Sequence, residues 1–282
     1  MKAITRKVWS HLSLNDKEKH SVKEVRKSEA LDVDTYSDLV KHMAYISYKN
    51  ADYSLFFRAQ DNDYRTQQGC STLYPSIYRD LKNNASRNII IFQRFDFLQF
   101  AEGALVREFE KQRFLGRSKI DKFREVRWAI LQHYEVCQTP LLDVTHSLRV
   151  ACSFALDMGR EYSYVYVLGF PHVNGSISYS VEEELLNVKL LSICPPRALR
   201  PHFQEGFLVG SFPSSDESRS ESLDVARRLI AKFRLNNDTF EDENFTRIPH
   251  SSLYPSNDSI ERLCKRIKAA LRGKPLPPLF SP

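Results

Sequence analysis

Three short segments set polar side chains inside otherwise apolar surroundings, and each could do chemistry. The first is Phe56-Phe57-Arg58-Ala59-Gln60. An arginine that ends a buried strand presents a rigid fork of donors suited to a phosphate or carboxylate. The competing reading is an internal ion pair with a carboxylate such as Asp143. The second segment runs from Gln132-His133-Tyr134 through Thr139-Pro140 to Asp143, Thr145, His146 and Ser147. His133 and His146 suggest an acid/base pair or metal ligands, but no close third ligand accompanies them, so no metal is expected. Asp143 either supplies a charge or simply holds the turn before the next helix. The third segment is Arg197-Ala198-Leu199-Arg200-Pro201-His202-Phe203-Gln204-Glu205-Gly206-Phe207. Gln204 and Glu205 precede a strand there, and Gly206 permits close backbone approach. The common nucleotide-loop, zinc-protease and nucleophile-elbow patterns do not occur.

Elements with readable periodicity must position these segments. Tyr36, Leu39, Val40, Met43, Ala44 and Ile46 recur at helical spacing, and Ser54 to Arg58 reads as a buried strand. Gln60 to Ser71 is a loop. Phe92 to Phe114 and Phe123 to Tyr134 read as helices, the second ended by Pro140. Leu141 and Leu142 begin an extended piece, and Ser147 caps a helix through Met158. Tyr162 to Leu168, Val188 to Cys194 and Phe207 to Val209 are β-rich. Ser214 to Ser222 reads as an exposed loop. Ser222 is expected to cap a helix with Val225, Leu229, Ile230 and Phe233 inside. Asn257 or Ser259 should cap a last helix carrying Ile260, Leu263, Ile267 and Leu271. Helices early and strands later argue α+β: a helix-rich N-terminal half on a mixed, mostly antiparallel sheet. Residues 1–30 read as an extension or a loosely docked helix, 31–273 as the main domain and 274–282 as a Pro-rich tail.

The 282 residues suffice for one large mixed domain, and 42% hydrophobic with 27% charged residues is an ordinary globular composition. No run approaches the roughly 18 apolar residues of a membrane helix, so no membrane role is expected. Five scattered cysteines form neither metal clips nor a disulfide framework, which points to a reducing, cytoplasmic setting. The net charge of +6 permits nucleic-acid contact, but lysines and arginines are interspersed with acids rather than gathered in a patch.

Taken together, the segments resemble the FRG-domain family. The likeness rests on Leu55-Phe56-Phe57-Arg58-Ala59-Gln60, Leu73-Tyr74-Pro75-Ser76-Ile77-Tyr78-Arg79 and Leu131-Gln132-His133-Tyr134. It continues through Thr139-Pro140-Leu141-Leu142-Asp143-Val144-Thr145, Val150-Ala151-Cys152-Ser153-Phe154-Ala155 and Gln204-Glu205-Gly206-Phe207-Leu208. Ala59 stands where the family name places glycine, and Leu141 where the family often has arginine. More distantly the same blocks resemble the ADP-ribosyltransferase fold.

That second resemblance implies a core of that type with NAD as substrate and no metal. It puts Arg58 on the pyrophosphate or ribose, Thr145 beside the nicotinamide pocket and Gln204 at the catalytic turn. Gln60, His133, Tyr134, His146 and Glu205 become candidate binding residues. It further implies an ADP-ribosyltransferase or NAD-cleaving effector with a protein or nucleic-acid acceptor, in a bacterial toxin or phage-defence setting. Gly206 stands where such turns carry their acid. Glu205 points to the other face of an extended chain, so Asp143 is the alternative source of negative charge. A non-catalytic nucleotide- or nucleic-acid-binding module of the same fold is the other reading, and a purely structural protein a third.

Overall fold

Runs rich in β-branched and aromatic residues pair into one mixed sheet. The computed structural model describes residues 1–79, 87–172, 174–213 and 220–272. Its strands are β1 (Leu31–Val33), β2 (Ser54–Gln60), β3 (Leu142–Thr145), β4 (Tyr162–Phe170), β5 (Ile177–Ser180), β6 (Leu185–Lys189), β7 (Gly206–Ser211) and β8 (Leu229–Asn236). They are ordered β1-β8-β4-β2-β3-β7-β6-β5. The β1/β8 pair is parallel and the other neighbours are antiparallel. With helices gathered around this sheet, the fold class is α+β.

The sheet has a seam at its centre. β2 pairs with β4 along its whole length, from Ser54↔Phe170 to Gln60↔Tyr164. β3 pairs with β7 from Leu142↔Val209 to Thr145↔Gly206. Across the middle, β2 meets β3 at a single position, Phe57↔Thr145. The two halves therefore part beyond that pair, and side chains can enter where a continuous ladder would have closed the sheet.

Caps and apolar stripes fix the helices. Thr35 accepts from the Asp38 amide to start Tyr36–Lys49, which buries Leu39, Met43 and Ile46 at helical spacing beside Phe233 and Leu235. Ser147 caps Leu148–Leu156 through the Val150 amide. The long helix Arg87–Gln112 sets Leu98, Leu105 and Phe109 into one cluster with Ile130 of Arg124–His133 and with Leu263 and Ile267 of Ser259–Leu271.

Four expectations change. The helix anticipated from Ser222 is instead a pair of 3-10 turns followed by β8. Leu229 to Leu235 lies between β1 and β4 and is buried apart from Arg234, while Val225, Leu229, Ile230 and Phe233 happen to fall at helical spacing. The Val188 to Cys194 run is strand only to Lys189, since Leu190–Ile193 turns into a short helix. The last helix is capped by Asp258, whose carboxylate accepts from the Ile260 and Glu261 amides, rather than by Asn257 or Ser259. Residues 1–30 are not loosely docked: Ile4, Val8, Val22 and Val25 are buried in the clusters around the sheet. Asn50 brackets the Trp9 backbone with one bond to its N–H and one to its C=O. The Pro-rich tail at 274–282 and most of the 214–222 loop lie outside the described residues.

A buried polar knot ties the 61–71 loop to β8, and its Lys232 also donates to the Arg26 carbonyl of the N-terminal layer at 3.4 Å. Lys232 is 0% exposed, and its ammonium donates to Asp63 Oδ2 at 2.9 Å and Ser71 Oγ at 2.7 Å. Asp63 also accepts from Ser71, Tyr166 and Arg65. Removing Lys232 leaves Asp63 paired with Arg65 but strips it of a buried charge-assisted bond, which typically costs about 1.5–3 kcal/mol. Lys232→Ala should therefore lower unfolding stability in urea by about that amount. A loss below about 1 kcal/mol would show that the knot is dispensable.

Candidate functional site

The seam opens into a cleft of about 210 Å³. Arg58 from β2, Asp143 and Thr145 from β3, His133 from the Arg124–His133 helix and Gln204 from the end of Arg200–Gln204 all line it. Five candidates that stand far apart in the chain thus share one cavity. Gln132, Glu135, Arg200, Gly206 and Tyr254 line it too, with an apolar wall that includes Phe57, Phe154 and Met158.

Arg58 follows the pairing residue Phe57, at the point where β2 and β3 begin to part. Its Nη1 donates to the backbone carbonyl of Asp143 at 2.6 Å, bridging the opening. Burial, then repulsion from Arg79, brings its pKa down to about 10, with Asp143 pulling the other way, so the guanidinium stays charged at neutral pH. The anticipated tie between Arg58 and Asp143 exists, but its hydrogen bond runs to the main chain and leaves the carboxylate to other partners.

Asp143 Oδ2 accepts from Gln132 Nε2 at 2.7 Å, and Oδ1 lies 3.4 Å from His133 Nδ1. Gln132 is oriented in turn by the Thr139 hydroxyl, which donates to its Oε1 at 2.6 Å. The carboxylate side chain keeps 38% of its surface exposed. Burial acts to raise its pKa. That effect is outweighed by the hydrogen bond and electrostatic attraction of His133, by the Arg58 charge and by the Gln132 amide, so Asp143 is held below the usual carboxylate value. The geometry sets an ionised carboxylate at the mouth of a partly apolar cavity.

Thr145 does a different job. Its hydroxyl donates to the carbonyls of Gln204 (2.9 Å) and Glu205 (3.2 Å) and accepts from the Ser147 amide (3.1 Å). It joins β3 to the turn before β7. Gln204 is similarly engaged, through Nε2 to the Leu253 carbonyl at 2.8 Å.

Four candidates do not line the cleft. Gln60 ends β2, paired with Tyr164. Tyr134 is buried, with its hydroxyl donating to Asp258 at 2.8 Å and its pKa raised chiefly by burial. His146 is exposed, bonded to the Leu55 carbonyl at 3.1 Å and packed on the Phe56 ring at 3.9 Å; burial lowers its pKa. It forms no pair with His133. Glu205 is exposed, at φ 45°. Gly206 itself faces a closed wall: a Cβ there would meet Leu190 Cδ1 at 2.8 Å and His133 Cε1 at 3.5 Å. An acid at that position would not fit without repacking Leu190.

The sequence reading set Gln132 and Arg200 in its polar segments without giving them a site role, and it missed Glu135 and Tyr254. Gln132 carried a signal, being a polar residue within the otherwise buried stretch from Trp128 to Tyr134. Arg200 had none that set it apart from neighbouring arginines. Three buried nitrogens among the lining residues, Arg58 Nε, His133 Nε2 and Arg200 Nε, have no hydrogen-bond partner among the described residues. Such groups are costly unless a ligand or water satisfies them. No group of three or more His, Cys, Asp or Glu among the described residues could hold a metal, and no described helix is long and apolar enough to cross a membrane.

A depressed carboxylate pKa makes a signed prediction. The stability that Asp143 contributes is present above its unfolded pKa and is lost as pH falls through the lower folded value. The Asp143 carboxyl carbon, followed by NMR, should titrate below the ordinary value of about 3.9. In His133→Ala that midpoint should rise, and an unchanged midpoint would remove His133 as a cause.

Comparison with known proteins bears on the same elements. A family model described as the FRG domain matches residues 55–163. The matched stretch contains Arg58, Gln132, His133, Asp143 and Thr145, whereas Arg200, Gln204, Gly206 and Tyr254 lie beyond it. Neither the curated proteins nor the solved structures gave a match. The strand bearing Arg58, the helix bearing Gln132 and His133 and the strand bearing Asp143 and Thr145 therefore fall within one matched unit, and over residues 55–163 the chain is similar to the FRG domain.

Proposed function

We propose that the cleft takes the nicotinamide–ribose end of NAD and breaks its glycosidic bond. The observation that carries this reading is the convergence of Arg58, His133, Asp143, Thr145 and Gln204 on one cavity, with the Asp143 carboxylate held ionised and partly open. In this reaction the bond between ribose C1′ and the nicotinamide nitrogen breaks, and its electron pair neutralises the pyridinium. Positive charge then develops at C1′, shared with the ring oxygen. Water or an acceptor nucleophile forms the new bond to C1′ and releases a proton. Such a step needs positioning and a nearby negative charge more than covalent help.

Asp143 is the carboxylate suited to that charge, and Phe57, Phe154 and Met158 offer an apolar wall for a planar ring. Sites that engulf a drug-sized ligand measure about 300–1,000 Å³. At about 210 Å³ this cleft is sized for one end of a dinucleotide, with the remainder lying across its rim. Transfer to a protein or nucleic acid, or NAD depletion by a cytoplasmic toxin or phage-defence effector, is the biological form this chemistry would take.

One observation favours a second reading, a non-catalytic nucleotide- or nucleic-acid-binding module. The position of the expected acid is Gly206, and Leu190 closes the space beside it. Nicotinamide release from NAD by the purified chain separates the two. Wild type should release nicotinamide, and Asp143→Asn should reduce the rate by about 100-fold or more while the protein stays folded. NAD binding without turnover, with cell extract also supplied, would select the binding module. No binding and no turnover would defeat both.

A further inference from the structure

Arg200 lies outside the matched family segment and has the features of a ligand anchor. Its side chain is only 6% exposed. The guanidinium carbon sits 4.2 Å from the Tyr254 ring centroid and 5.5 Å from that of Tyr134. Nη1 donates to the His133 carbonyl at 3.1 Å, which fixes the plane of the fork. Nε is buried without a partner among the described residues. The one carboxylate within ion-pair range among those residues is Glu135, at 3.6 Å from Nη2, and its side chain is 69% exposed. Charge-assisted bonds from arginine usually close to about 2.7–2.9 Å. This pair is long, and its carboxylate partner is exposed.

Glu135 also occupies an unusual place. It stands at φ 53°, just past the Arg124–His133 helix. Its amide donates to the Gln132 carbonyl, and the Val136 amide to that of Leu131. Helix ends of this form usually place glycine at the left-handed residue. Here a long acidic side chain stands instead, lining the cleft within reach of Arg200.

We propose that Arg200 anchors a phosphate or pyrophosphate group in the cleft, and that Glu135 stands in for that anion until the ligand displaces it. The planar fork, already oriented by Tyr254 and the His133 carbonyl, matches two phosphate oxygens. Arg58 comes from the β2 side of the seam and Arg200 from the element leading into β7, so an anion in the cleft meets a cation from each half. The choice of ligand class rests on the NAD reading, while the anchor itself rests on the Arg200–Glu135 geometry.

The test is calorimetric titration of the full chain with ADP-ribose, and with adenosine as a ligand lacking phosphate. Glu135→Gln removes the competing carboxylate from an exposed position and should tighten ADP-ribose about two- to five-fold, the range expected of an exposed ion pair. Arg200→Gln should weaken it at least about ten-fold, in keeping with loss of a charge-assisted contact. Adenosine binding should change in neither variant. Should Arg200→Gln unfold, the gain in Glu135→Gln still decides the matter. Unchanged or weaker ADP-ribose binding in Glu135→Gln overturns the anchor, as does no ADP-ribose binding by wild type. The expected pair of shifts without any nicotinamide release from NAD supports the anchor and removes the cleavage reading. Nicotinamide release with no effect of Glu135→Gln on ADP-ribose affinity overturns the anchor and leaves cleavage standing.

Discussion

The single pairing of Phe57 with Thr145 is the constraint on which the site depends. A sheet satisfies its backbone by continuous hydrogen bonding, and a fully paired centre would leave no room for polar side chains. Here the two halves of the sheet are joined at one position and part beyond it. The exposed backbone must then find partners of another kind. Arg58 supplies one by donating to the Asp143 carbonyl. The residue that reads as a ligand-binding cation is therefore also a clasp across the break.

That break explains the electrostatics of the cleft. Asp143 sits on the short strand β3, where burial alone would push its carboxyl toward the neutral form. Gln132, His133 and Arg58 reverse the balance, and the orientation of Gln132 is set by Thr139. The chain from Thr139 through Gln132 to Asp143 rests on the end of the Arg124–His133 helix and the strand after it. The helix ends at His133, with Glu135 in left-handed geometry just past it, and Pro140 then disfavours helical backbone at Thr139 on the way to Asp143.

Much of the remaining structure holds the two halves in place. On one side the 61–71 loop is locked to β8 by the Lys232–Asp63 knot, and Arg26 of the N-terminal layer reaches both the Ser71 carbonyl and Asp224. On the other, Asp258 caps the last helix while accepting from the Tyr134 hydroxyl and from the Leu199 and Arg200 amides. That carboxylate fixes the start of the Arg200–Gln204 helix and so the place of Arg200 and Gln204 in the cleft. Three helices meet at one buried group.

The sequence by itself determined the α+β class, the helices at Tyr36–Lys49, Arg124–His133 and Leu148–Leu156, the strand carrying Arg58 and the segments from which the cleft is made. These features are local: apolar spacing, a capping hydroxyl or a proline fixes them within a few residues. Tertiary structure decided the rest. β8 was misread because Val225, Leu229, Ile230 and Phe233 fall at helical spacing, and Lys232 looks like any surface lysine until Asp63 and Ser71 are brought to it. His146 and Glu205 sit beside true lining residues in the chain yet do not enter the cleft, since His146 lies just past the end of β3 and Glu205 turns through left-handed geometry between the Arg200–Gln204 helix and β7. Arg200, Glu135 and Tyr254 join the site only because β7 pairs with β3 and Asp258 pins the turn between. Long-range pairing chooses which face of each element looks into the seam, and no spacing along the chain encodes that choice.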